Sequence, residues 1–121
     1  SNWKTIVDTM TFLIKDKKEI NRIINEKIKG KKLIFTKYYQ FGIMKRGIEH
    51  EKVLEIFPKF DKVFEIEKDR LKQGDFGYEL FYSLSKNVTF SIATCPKNRK
   101  VLIIHAILYK RNLDKRLKRK R

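Results

Sequence analysis

His50 and His105 are the two histidines of this chain and Cys95 its one cysteine, so proton transfer or nucleophilic attack near neutral pH must pass through very few side chains. A histidine with a near-neutral pKa can both take and give a proton at physiological pH. Metal-free cleavage of RNA needs a base for the 2′-hydroxyl proton, an acid for the leaving oxygen and cations for the charge that grows on phosphorus. His105, Arg46, Tyr109 and Arg70 are the residues that can fill those roles here. Each also has a plainer reading. A single histidine on an apolar strand is often a hydrogen-bonded core residue, and Arg46 can instead fix a turn by pairing with Glu49 or Glu51. Arg70, beside Asp69, can be a solvated charge. Tyr38, Tyr39, Tyr82 and Tyr109 can stack on bases, but aromatic residues at helix and strand spacing are usually core. Tyr109, at its strand's end, is the one expected to be half exposed. His50, opening a helix, reads as exposed and ordinary, because a helix N-terminus disfavours its charged form. Cys95, next to Pro96, reads as a small core residue.

Other chemistries lack their motifs. Gly30-Lys31 has neither the earlier glycine nor the following Ser or Thr of a phosphate-binding loop. The two histidines, 55 positions apart, and the lone cysteine give no zinc spacing, which leaves carboxylates as the only plausible metal donors. No metal and no cofactor are expected.

The element that must position His105 is Val101-Leu102-Ile103-Ile104-His105-Ala106-Ile107-Leu108-Tyr109. This run is too short for a typical helix and rich in strand formers, so it predicts a strand buried on both faces in the middle of a sheet. Strand alternation puts His105 on one face with Ile103 and Ile107. The run then passes without a spacer into residues 110–121, which hold eight Lys or Arg against one Asp. Lys110, Arg111, Lys115, Arg116, Lys118 and Arg119 are the nucleic-acid-binding candidates there, since like charges this dense are relieved by a phosphate backbone.

Upstream, the apolar residues from Trp3 to Ile28 follow a helical period, with Asp16 and Glu19 forming a capping signal where the arm can break in two. Residues 32–36 read as a short strand, followed by a helix to Gly47 that buries Tyr39, Ile43 and Met44, and a second helix over residues 49–57 closed by Pro58. Residues 62–68, 75–84, 88–95 and 100–109 read as strands joined by hairpin-length connections. The fold class that follows is α+β: N-terminal helices packed on a four- to five-stranded, mainly antiparallel twisted sheet with a basic C-terminal tail. At 121 residues this is one domain, with residues 1–30 a helical arm, 31–109 the α+β core and 110–121 the tail.

The balance of 30 Lys and Arg against 14 Asp and Glu, net +16, favours an anionic polymer as partner over a small acidic substrate. RNA is the expected partner, as a free, ribosome-associated or transfer RNA. A membrane surface is not expected, because Leu113 and Leu117 are too little apolar surface to insert from the tail. A single cysteine and no signal-like or spanning apolar run point to the cytoplasm.

Phe35-Thr36-Lys37-Tyr38-Tyr39, followed by Lys45-Arg46-Gly47-Ile48 and a helix from Glu49, resembles the strand, helix and "R-G-I" turn of the small proteins grouped as DUF4258 and the BrnT-type toxins. The strands that follow are similar in order and spacing, and the resemblance covers residues 31–109. It implies the RelE-like and barnase-like class of small basic ribonucleases, with an acidic antitoxin protein as partner and Arg46 as the Arg of the turn. Where such sequences often carry His, this one has Tyr38. Two functions are therefore set against each other: an RNA-binding, metal-independent endoribonuclease of the toxin type, and a non-catalytic nucleic-acid-binding or structural protein. The first needs His105, Arg46, Arg70 and Tyr109 to converge; the second needs only a basic surface.

Overall fold

The stretch read as one helical arm changes character at Asp16. Thr11–Ile14 form a strand, β1, and Lys17–Ile23 a helix, α1, which continues as a π-helical turn through Ile24–Ile28. The Asp16 side chain caps α1 by accepting the Glu19 amide at 3.0 Å, which satisfies one of the donors that a helix start leaves unpaired. The helical reading of residues 11–14 is thus corrected, while the break beside Lys15 is found. Thr, Phe, Leu and Ile suit a pleated surface, and pairing with a distant strand decides the matter. The structure, a computed structural model, describes residues 11–71 and 74–110.

After the turn at Gly30 come β2 (Lys32–Phe35), α2 (Lys37–Arg46) and α3 (His50–Ile56). Thr36 caps α2 by accepting the Tyr39 amide at 3.0 Å, and Gly47, at φ 68°, ends it in the left-handed conformation. A 3₁₀ turn, Phe60–Lys62, leads into β3 (Val63–Arg70), β4 (Phe76–Ser85), β5 (Val88–Pro96) and β6 (Lys100–Tyr109). The α+β class stands. The sheet has six strands where four to five were expected, in the order β1-β3-β4-β5-β6-β2, and β2 alone is parallel to its neighbour. The mainly antiparallel meander is therefore flanked by the two short strands β1 and β2.

The same order corrects the position of the strand that carries His105. β4 and β5 occupy the middle, whereas β6 is next to the edge and is paired on its outer side by β2 only from Lys100 to Ile103. Helix α2 packs against β6 as well. Burial along β6 is complete at Val101, Ile103 and Ala106 and partial or absent elsewhere, so only one of its faces is core.

That core face takes side chains from every helix. Ile20, Ile23, Ile24 and Ile28, then Tyr39 and Ile43, then Val53, Ile56 and Phe57 form one cluster with Ile66, Tyr78, Leu80, Tyr82, Phe90 and Ile92. Met44, expected among them, points to solvent. Tyr82 is buried and donates its hydroxyl to the Phe57 carbonyl at 2.7 Å, the pairing that a buried polar group requires.

Candidate functional site

Where β5 and β6 pair, the register slips by one residue: Ala93 stands opposite His105, but Thr94 stands opposite Ile103. Ile104 is the extra residue of a bulge, and a bulge re-aims the side chains on its two sides. Ile103 consequently joins the core together with Ala106, while His105 and Ile107 lie outside that core cluster. The expectation that His105 shares a face with Ile103 is corrected.

On that second face, cross-strand register sets Glu67, Glu79, Ala93 and His105 in one row. All four are partly exposed. The next row, Glu65, Phe81 and Ser91, is buried, with the Lys15 ammonium 3.6 Å from Glu65. Glu79 and His105 are two strand spacings apart, with β5 between them, about 10 Å between Cα positions. Ala93, between them in the row, carries only a methyl group. Nδ1 of His105 is buried without a hydrogen-bond partner among the described residues. Burial pushes the His105 pKa below its ordinary value; the Glu79 carboxylate opposes this shift and the Arg46 guanidinium adds to it.

Arg46 lies at the end of α2, where its guanidinium folds back over Gly42, so close that a Cβ at Gly42 would lie 2.7 Å from it. It makes no ion pair with Glu49 or Glu51. His105, Arg46 and Glu79 are thus electrostatically linked, and Glu79 is the member that sequence reading missed. Its signal was present in the alternation of β4, which puts Glu79 on the face that Tyr78 and Leu80 leave.

The other two site candidates lie elsewhere. Tyr109 is half-buried on the same face as His105 but four residues further along β6, roughly 13 Å away. Arg70 pairs with Phe76 at the other end of the sheet. It is three strands and three residues from His105, roughly 17 Å, and on the helix-covered side. The four residues do not converge.

His50 is also corrected. Its Nδ1 lies 2.9 Å from the Tyr39 hydroxyl, and the Phe35 ring meets it edge-on at 4.6 Å. It is a half-buried packing residue, and burial first, then Glu51, pushes the Tyr39 pKa up to about 12. Cys95 is buried, which raises its thiol pKa.

Basic side chains converge at one end of the sheet, where the turn before β2 meets the turn before β6. The Lys31 ammonium donates to the Lys97 carbonyl at 2.7 Å, the Lys32 amide reaches the Arg99 carbonyl, and Lys32 pairs in register with Lys100. Lys29, Lys32, Arg99 and Lys100 are exposed and make no ion pair among the described residues. The nearby carboxylates are engaged elsewhere, Asp75 by Lys97 at 2.5 Å and Glu26 by Arg22 at 2.9 Å. Lys27, Lys31 and Lys97 line a cleft of about 500 Å³ between the two turns. Sequence reading passed over this cluster because its halves are 66 positions apart. Its one local signal was the pair of turns Lys29-Gly30-Lys31-Lys32 and Lys97-Asn98-Arg99-Lys100.

Of the basic tail, Lys110 is exposed at the end of β6, and Arg111, Lys115, Arg116, Lys118 and Arg119 lie outside the described residues. No helix among the described residues is long and apolar enough to cross a membrane. Compared with known proteins, the chain matches no family model, no curated protein and no solved structure.

Proposed function

We propose that this protein binds RNA in the cytoplasm, through the cations of its two turns and through the basic segment that begins at Lys110. One observation carries the reading: Lys29, Lys32, Arg99 and Lys100 are held together without carboxylate partners among the described residues. Like charges on neighbouring strands destabilise a sheet. A phosphate backbone removes that cost by neutralising them and releasing counterions. Lys100 and Lys110 stand at opposite ends of β6, roughly 30 Å apart, a length that suits a polymer and not a small anion. The test is the salt dependence of binding to a labelled RNA by the full chain. Changing Lys29, Lys32, Arg99 and Lys100 to Gln should flatten the slope by about 0.7 for each single-strand phosphate that is no longer neutralised. Deleting residues 115–121 should flatten it further. Absence of binding by the unaltered chain, or slopes that neither change affects, overturns the reading.

A second reading, a metal-independent endoribonuclease of the toxin type with a small acidic antitoxin as partner, is favoured by the Glu79, Ala93 and His105 row. The resemblance to BrnT-type proteins suggests the same class. Burial keeps His105 neutral at neutral pH, which suits a base. It would take the 2′-hydroxyl proton as that oxygen attacks phosphorus, Glu79 would stabilise the imidazolium formed, and Arg46 would stabilise the charge on the phosphoryl oxygens. The departing 5′-oxygen would take its proton from water, leaving a 2′,3′-cyclic phosphate. Incubation with total RNA in EDTA should then yield such ends, and His105→Ala should lower the rate by about two to four orders of magnitude with affinity kept. Intact RNA leaves the binding reading alone.

A further inference from the structure

Helix α2 exposes side chains that an amphipathic helix usually buries. Tyr38 is 65%, Phe41 62% and Met44 74% exposed. At 3.6 residues per turn they lie on the side opposite Tyr39 and Ile43, which face the core. Lys37 and Lys45 flank them on the same stripe, with the Lys45 ammonium 5.7 Å from the centre of the Phe41 ring. None of the ten residues of α2 is acidic. The sign of the surroundings decides what such a patch fits: cations without carboxylates select a polyanion, and exposed flat rings select flat apolar faces. Unpaired nucleobases joined by phosphates offer both. A duplex hides those faces in its own stack, and a neutral apolar partner leaves the cations unanswered. The position agrees, since α2 directly follows β2 and packs against β6, the strand that joins the cations at Lys100 to Lys110.

We infer that the outer face of α2 binds single-stranded RNA by stacking unpaired bases on Tyr38 and Phe41, with Lys37 and Lys45 on the adjoining phosphates. This rests on the RNA-binding function proposed above and names the form of RNA. The experiment compares the full chain with Tyr38→Leu/Phe41→Leu, which keeps an apolar surface but removes both rings, on a labelled single strand and on a duplex of the same length. Each stack removed should weaken single-strand affinity about 5- to 150-fold, with the salt slope unchanged. Duplex affinity should not move. Failure of the unaltered chain to bind either RNA defeats the RNA-binding function itself. Equal single-strand affinity of the two proteins, or an equal loss on strand and duplex, overturns the stacking inference alone. So does a change in oligomeric state, which would make the face an interface between copies. Melting curves of both proteins show that the fold is kept.

Discussion

Ala93 stands directly opposite His105 in the β5–β6 ladder, at the last pair before the register slips. The slip brings the chain's one sheet histidine to the face that also carries Glu79 and Glu67, and takes Ile103 into the core. Without the extra Ile104, strict alternation would bury His105 or expose Ile103. The bulge resolves that conflict, so the site's chemistry depends on a single backbone irregularity.

The His105 ring should titrate below the ordinary histidine value in NMR spectra, because burial disfavours its charged form more than Glu79 favours it. Ala93→Leu should lower the midpoint further by screening the ring from water. Glu79→Gln should lower it too, by removing the favourable charge. A midpoint that rises in either variant would show that another charge controls the ring.

Tyr82→Phe should destabilise the protein by about 1–3 kcal/mol, since removing the hydroxyl leaves the Phe57 carbonyl unsatisfied in the interior. Urea unfolding measures this directly. The change should appear in the midpoint with the slope unaltered, because the surface exposed on unfolding is the same. A cost near zero would mean that water reaches that carbonyl.

Two helix ends can be probed without touching the core. Gly47→Ala should cost about 1 kcal/mol for backbone strain alone, because the residue sits at φ 68° and a Cβ there meets nothing within 4 Å. Asp16→Ala should cost about 0.5–2 kcal/mol by removing the cap on α1, with Asp16→Ser recovering most of it. Thermal melts of the three variants separate strain from capping.

What the sequence made legible is what neighbours in the chain decide. The Asp16 cap, the Gly47 stop, the three hairpins and the inward row Tyr78, Leu80 and Tyr82 all follow from local spacing. Residues 11–14 misled because their strand state depends on pairing with residues 66–69, which no local window contains. The β6 bulge and the meeting of Lys31 with Lys97 are non-local in the same way. His50 misled for a different reason. Its place at a helix start spoke for exposure, but the Phe35 and Tyr39 rings, distant by a turn and a helix, close over it.

Stability should fall on acidification partly through His105, and the sign is fixed by its depressed pKa. Between the folded value and the unfolded value, near 6.5, the unfolded chain binds the proton and the folded chain does not. The contribution is therefore complete above about pH 6.5 and is lost as pH falls toward and through the folded pKa. Glu79 in the same cross-strand row and Arg46 from α2 are the charges that act on the ring, the carboxylate opposing its depression and the guanidinium deepening it. Replacing His105 by Leu removes the titrating group but keeps the apolar bulk. Urea unfolding at pH 7.5 and at pH 5.0 should then show a smaller loss of stability in His105→Leu than in the unaltered protein. Equal losses would assign the acid sensitivity to carboxylates, and a larger loss in the variant would reverse the sign argued here.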